Sequence, residues 1–276
     1  PTGTPPESPL GKATVYADAY DPALLFAIAR APQRATLGID AAAALVFEGA
    51  DAWTAWEASW LDATGKPQVA VARFEIPCDS PRIVESKSVK LYLTALNQTR
   101  FADASDCAAT LRRDLSAATG APVDVELVLP AAYATLARAE PAGECIDMLP
   151  LRASHDAPDA SQLATLSGSA DEALVSRLFR SVCPVTGQPD YATLQIAYRG
   201  APIDRASLLA YLVAYRRHPG FHEHCVERIF VDIQRACAPA ALSVAARFSR
   251  RGGVDINPWR RRGATGAALP GPTSVQ

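Results

Sequence analysis

Ser181-Val-Cys-Pro-Val-Thr-Gly-Gln-Pro-Asp190 lies between two runs of strand character, Ala173 to Val182 and Tyr191 to Tyr198. Its composition makes it a hairpin turn: Gly187 and the prolines Pro184 and Pro189 bend the segment sharply. In the second run Ala192, Leu194, Ile196 and Tyr198 alternate with their neighbours, the period of a strand with one apolar face. The turn also carries a thiol at its entry, Cys183, and a carboxyl at its exit, Asp190. That is a nucleophile and a proton donor within reach of one small molecule. Alone, the same two residues read more readily as a small buried thiol beside an ordinary turn aspartate.

Working outward, a helix capped by Asp204 follows, with Leu208, Leu212 and Tyr215 on one stripe. A second helix runs from about His222 to Cys237, with Val226, Ile229, Phe230 and Ile233 inward. Leu242, Val244, Ala246 and Phe248 form the next strand, Arg250-Arg-Gly-Gly253 a turn, and Val254 to Trp259 a short last strand. Upstream the same order occurs. Ala52 to Leu61 reads as a strand with Trp56 and Trp60 on one face, and Asp62 to Pro67 as a turn. Gln68 to Ile76 returns as the second strand of a hairpin. A helix follows Glu85, with Ser86 placed to cap it and Val89, Tyr92, Leu93 and Leu96 at helical spacing. Another helix spans Ser105 to Ala118 with Gly120 as its stop, and Val123 to Leu129 is a strand. A short helix is expected at Pro22 to Arg30. Two halves of this kind imply an internal duplication. Neither alternates strands with crossover helices, and no GxGxxG follows a strand, which argues against a doubly wound parallel sheet.

The boundaries follow composition. Residues 1–12 hold four prolines and almost nothing apolar, and read as a disordered tail. Residues 13–150 form the first module, 151–172 a linker, 173–260 the second module, and 261–276 a second tail. The chain of 276 residues is 49% hydrophobic and 20% charged, a globular composition. No apolar run approaches a spanning length and no basic-then-apolar leader opens the chain, so a cytoplasmic location and no membrane partner are expected. Six cysteines without CxxC spacing read as reduced thiols. A net charge of −2 gives no general attraction to nucleic acid, although Arg247, Arg250, Arg251, Arg260, Arg261 and Arg262 cluster near the C-terminus.

Two further segments carry chemistry. Phe221-His-Glu-His-Cys225 opens a helix, where Glu223 suits the positive end of the helix dipole. His222 and His224, two apart on a helix, point to different sides and make a poor chelating pair, so no metal is expected. Glu85-Ser-Lys-Ser-Val-Lys90 alone would be an amphipathic start with a solvated lysine face.

Taken together, Glu85-Ser-Lys-Ser-Val-Lys-Leu-Tyr92, Cys183-Pro-Val-Thr-Gly-Gln-Pro-Asp190, Phe221-His-Glu-His-Cys-Val-Glu-Arg-Ile-Phe230 and Arg250-Arg-Gly-Gly-Val-Asp-Ile-Asn-Pro-Trp259 closely resemble, in that order, the motifs of the NADPH-dependent 7-cyano-7-deazaguanine reductases. These are the nitrile reductases of queuosine biosynthesis, here of the long, two-module type. The resemblance runs from about Gly11 to Arg260. It implies an α+β chain of tandem tunnelling-fold modules, each an antiparallel sheet with two helices on one face, which agrees with the element order above.

The resemblance also implies roles. Cys183 adds to the nitrile carbon to give a thioimide, Asp190 moves the proton, and His222 acts as a relay over the reacting centre. Val84, Glu85, Ser86, Phe221, His222 and Glu223 hold the deazaguanine; Ser86, Lys87, Arg250, Arg251 and Gly252 hold NADPH. Elementary chemistry agrees: a nitrile is a weak electrophile that needs a thiolate and an acid together, and a buried purine edge offers donors that carboxylates satisfy. Arginine or lysine suits a 2′-phosphate. Neither half of the sequence holds every ligand, so a complete site is expected where modules of a homodimer or higher oligomer meet. Two rivals remain. A zinc-dependent synthase of the same fold needs three converging histidines, which His155, His218, His222 and His224 do not offer by spacing. A purine- or RNA-binding module would use the arginine-rich C-terminus.

Overall fold

The computed structural model describes residues 19–40, 42–136, 139–151, 157–265 and 276. The expected tail at 1–12 lies outside them, as does most of the one at 261–276. By contact the chain divides into two units. The first comprises Pro1–Ala43, Ala50–Leu136 and Arg250–Ile256; the second comprises Ala44–Gly49, Ala137–Ser249 and Asn257–Gln276. Arg250–Ile256, expected within the second module, therefore clusters with the first.

The first unit contains β1 (Ala27–Ala29), α1 (Ala31–Thr36), β2 (Glu48–Leu61, from Ala50 on), β3 (Pro67–Pro77), β4 (Arg82–Val84), α2 (Ser86–Leu96), α3 (Ala104–Thr119) and β5 (Asp124–Val128). The short helix expected at Pro22 to Arg30 is instead a 3-10 turn at Pro22–Leu24 followed by β1, which pairs antiparallel with β4. Asp21 caps that turn by accepting from Ala23 N–H, and beyond it the Phe26 carbonyl accepts from Glu85 N–H and Ile28 stands opposite Ile83, so these backbone groups are used in strand pairing rather than in helical bonds. β3 pairs antiparallel with both β2 and β5. Helices α2 and α3 cover this sheet: Val89, Tyr92 and Leu96 of one and Leu111 and Leu115 of the other pack with Trp53, Trp60, Ala72, Phe74 and Ile76. Gly120 ends α3 in the left-handed conformation, as its position predicts.

Trp56 does not share a face with Trp60. The register shifts between Ala55 and Ala58, so Trp56 and Glu57 stand opposite Val71 alone. This bulge inverts the alternation: Trp53 and Trp60 are buried, while Trp56 turns out to give its indole N–H to Asp255 at 2.5 Å.

The second unit contains β6 (Glu144–Cys145), β7 (Ala170–Val182), β8 (Pro189–Gly200), α4 (Arg205–Val213), α5 (His222–Cys237), β9 (Ala241–Phe248) and β10 (Val254–Arg262, from Asn257 on). Its sheet runs β6-β7-β8-β9-β10, antiparallel apart from the β6–β7 pair. β7 begins within the expected linker, and Asp159 caps a 3-10 turn at Ala160–Gln162 there. Asp204 caps α4 as expected, accepting from Ser207 N–H at 2.8 Å. α4 packs on β7 and α5 on β9, burying Leu208, Leu212, Val226, Ile229, Phe230 and Ile233. β7 carries the same defect as β2: the register shifts between Ser176 and Phe179, with Arg177 and Leu178 opposite Thr193 alone.

Each unit is thus an antiparallel α+β layer with a helix pair packed on its sheet. Among the described residues no helix is long and apolar enough to cross a membrane. The C-terminal arginines are no uniform patch, because Arg260 is fully buried against Glu227 and Arg261 pairs with Glu48 at 2.7 Å.

Candidate active site

Strand alternation brings Cys183 and Asp190 of the second unit together. Ser181 stands opposite Asp190 and Val182 opposite Pro189, and Cys183 N–H continues the ladder by donating to the carbonyl of Gln188 at 2.9 Å. Residues 181 and 183 share a face, and so do Ser181 and its cross-strand partner Asp190. Cys183 and Asp190 are therefore diagonal neighbours on one face, the thiol partly exposed and the carboxyl buried. Gly187, at φ 70°, closes the turn, its N–H donating to the Cys183 carbonyl at 3.1 Å.

The segment before α5 is tied to the same strand end. Val182 N–H donates to the His218 carbonyl at 3.0 Å, and Gly220 N–H to the Val182 carbonyl at 3.1 Å. Gly220 allows the close approach, since a Cβ there would come within 2.9 Å of Cys225 Sγ. Phe221, half-buried, then stands at the N-cap of α5, with His222 and the buried Glu223 in its first turn. His222 Nε2 lies 3.5 Å from Asp190 Oδ2. Cys225, also near this face, is fully buried, and burial pushes its thiol up to about 12, so it stays protonated and inert.

The first unit holds the other expected residues. Glu85, not Ser86, is the N-cap of α2: its Oε1 accepts from Lys87 N–H at 2.7 Å and its Oε2 from Ser88 N–H at 2.8 Å. The carboxylate reaches both amides because its longer side chain folds back over the first turn. Burial raises its pKa, opposed by these two hydrogen bonds and by the charge of Lys90. Val84 is buried at the end of β4, and Ser86 and Lys87 are half-buried on the outer first turn. Arg251 and Val254 bracket a tight turn, Arg251 N–H donating to the Val254 carbonyl at 2.9 Å. Its central residues, Gly252 at φ 58° and Gly253 at φ 74°, are both left-handed, as this turn type requires. A cleft of about 110 Å³ lies beside it, lined among others by Lys90, Thr94, Asn97, Gly252 and Gly253. A Cβ on Gly252 would press on Lys90 Cδ at 3.3 Å, and one on Gly253 on Glu57 at 2.6 Å. Arg250 stacks over Trp56 at 4.6 Å.

Of the residues expected from sequence, Cys183, Asp190, His222, Phe221 and Glu223 lie in the second unit; Val84, Glu85, Ser86, Lys87, Arg250, Arg251 and Gly252 fall in the first. Phe248, whose ring stacks on His222, and Lys90 as a cleft residue were not among them. Lys90 was visible in the spacing of the lysines; Phe248 sends no local signal. Among the described residues no three His, Cys, Asp or Glu side chains converge as metal ligands.

Residues 16–127 match the model of the nitrile reductase, 7-cyano-7-deazaguanine-reductase N-terminal family, and residues 189–267 that of the QueF-like proteins. The chain is 53% identical to the NADPH-dependent 7-cyano-7-deazaguanine reductase of Bordetella avium, over 96% of each chain. It is 55% identical to the protein of that name from Chromobacterium violaceum, covering 93% of this chain and 92% of the relative. With that of Burkholderia pseudomallei it shares 54% over 93% of each. Likeness at this level, over more than nine-tenths of the chain, shows that the chain belongs to the family of NADPH-dependent 7-cyano-7-deazaguanine reductases.

Proposed function

We propose that this protein reduces the nitrile of 7-cyano-7-deazaguanine to the primary amine at the expense of NADPH, through a thioimide on Cys183. The observation that carries the reading is the placement of Cys183 and Asp190 as diagonal neighbours on one strand face, with His222 Nε2 3.5 Å from the carboxyl.

Asp190 takes the thiol proton as Cys183 Sγ bonds to the nitrile carbon, and delivers it to the nitrogen, whose developing charge it quenches. His222, in contact with the carboxyl, relays the protons that later reach that nitrogen. Phe221 closes over the base, and the buried Glu223 accepts from its ring N–H and amino groups; Glu85 and Ser86, beside Val84, are assigned to the same ligand. Glu85 Oε2 accepts from Ser88 N–H and keeps a lone pair for a further donor, while Oε1 accepts from Lys87 N–H and, at 3.4 Å, from the Ser86 hydroxyl.

The first unit suits a phosphate-bearing cofactor. Two left-handed glycines leave a cradle that a Cβ would crowd; Lys90 lines it together with Glu57, Arg250 and Arg251 directly precede the glycines in the chain, and Lys87 lies about one turn before Lys90 on α2. NADPH, when bound, supplies the two hydrides that a nitrile needs to become an amine. Ser86, Lys87, Arg250, Arg251 and Gly252 are the residues proposed to hold it. Exposed Met148, Leu149 and Leu151 beside the short strand β6, with Leu178 on β7, favour a homodimer or larger homo-oligomer. The six free cysteines suit a cytoplasmic setting.

The test is direct. Mixed with 7-cyano-7-deazaguanine without NADPH, the protein should develop a new absorbance band and a mass increment equal to the nitrile. Unchanged mass in wild type overturns the covalent reading.

A further inference from the structure

We infer that Phe248 is the positioning residue of the His222–Asp190 pair, and that the side chain of Gln276 holds Phe248 in place; the catalytic half of this inference rests on the function proposed above. The His222 imidazole lies flat on the Phe248 ring, centroids 3.8 Å apart and planes 21° from parallel. His222 is the first residue of α5, where the backbone has no preceding turn to restrain its side chain. Something outside the helix must fix the ring plane.

The sheet supplies it. Phe248 stands opposite Ala192 on β8, and Ala192 stands opposite Phe179 on β7, so the three share a face. Asp190 is two residues before Ala192 and lies on that face as well. The small Ala192 lets the two phenyl rings meet edge to face, at 6.0 Å and 84°. Phe179 in turn packs on Tyr215 at 5.1 Å. Phe248 is thus a buried, immobile shelf one strand over from the carboxyl, and a ring lying on it presents its edge along the sheet toward Asp190. That is the edge on which Nε2 is found, 3.5 Å away.

The shelf is pinned at its backbone. Gln276, itself buried, donates through Nε2 to the Phe248 carbonyl at 3.2 Å and to Asn257 Oδ1 at 2.5 Å. Phe248 is the last residue of β9. Strand ends fray where ladder bonds stop, and the amide supplies a bond there.

The test is a double-mutant cycle in the full-length protein. Phe248→Leu keeps apolar volume but removes the flat face. It should slow adduct formation and turnover about tenfold to a hundredfold, with little change in KM for NADPH. On a His222→Ala background the same change should cost almost nothing, because the residue acts through the imidazole. A full loss on both backgrounds overturns the proposal and makes Phe248 a packing residue. Gln276→Ala leaves the aromatic core intact, covers the case of a misfolded Phe248 variant, and should show the same non-additivity at smaller size. In substrate-free protein, independent of any reaction, NMR should give one sharp set of His222 imidazole signals in wild type and broadened or multiple sets in both variants. One sharp, unmoved set in Gln276→Ala overturns the pinning role. Wild-type protein with the expected imidazole signals but no adduct would sink the nitrile chemistry alone.

Discussion

Arg260 and Glu227 form an ion pair sealed from solvent: both Nε and Nη2 of the guanidinium donate to one carboxylate oxygen, Oε1, at 3.1 and 2.9 Å. Removing one partner of such a pair takes away the opposite charge that offsets the other's desolvation. Glu227→Ala should destabilise the protein by about 3–5 kcal/mol, read from urea unfolding, whereas replacing both residues with apolar ones of similar volume should cost far less. Equal losses in the two proteins would contradict the burial argument.

Cys183→Ala and Cys183→Ser should each give no covalent adduct and no nitrile reduction. The fully buried Cys225, its thiol held protonated by burial, offers no substitute. Intact-protein mass spectrometry after incubation with the nitrile reads the outcome, and an adduct in either variant would move the nucleophile elsewhere.

For Asp190→Ala slow turnover is expected, with adduct formation impaired by about a hundredfold or more, since the acid acts as the carbon–sulfur bond forms. Stopped-flow absorbance separates this step from later ones. A wild-type rate would assign proton transfer to His222 alone.

Burial lowers the His218 imidazole to about 4 from an ordinary 6.5, with the charges of Arg228 and His224 adding to the effect. Its buried Nε2 has no hydrogen-bond partner among the described residues. The unfolded chain takes up this proton near 6.5 and the folded one only near 4, so the stability it contributes is whole above 6.5 and is lost as pH falls toward 4. His218→Gln should flatten that part of the acid limb. Urea midpoints measured across this pH range check it, and an unchanged slope would show that other groups set the limb.

Arg251→Ala should weaken NADPH binding much more than NADH binding, because only the former carries the extra phosphate. Titration of each cofactor by fluorescence decides. Equal weakening would assign the phosphate contact to Lys90 or Arg250, which stand beside the same glycine turn.

What could be read from sequence was whatever is written locally. The turn between Cys183 and Asp190 announces itself through glycine and proline, and the helix limits at Asp204 and Gly120 through their capping chemistry. Trp56 was misplaced because a bulge adds one residue without marking the sequence, and parity fails beyond it. The cap of α2 moved from Ser86 to Glu85 because glutamate is a rare cap, workable here only with its side chain folded onto two amides. The stack of Phe248 on His222 joins positions on different elements, and no spacing rule encodes such a contact. The roles of Glu85 and Arg251 came from family likeness, since alone each reads as an ordinary helix end or turn.

The bulges in β2 and β7 are the same backbone irregularity in both units. Each hairpin sets two residues against one at the same distance from its turn, Trp56 and Glu57 against Val71, Arg177 and Leu178 against Thr193. Matching the closing pairs Leu61–Pro67 and Val182–Pro189 brings Asp62 to the place of Cys183 and Gln68 to that of Asp190. In the first hairpin those two side chains bond to each other, Gln68 Nε2 donating to Asp62 Oδ2 at 2.9 Å, and Thr64 and Lys66 also donate to the aspartate. The two hairpins thus share one backbone geometry and differ in what stands at its open end: a thiol and a carboxyl in the second unit, a closed polar clasp in the first.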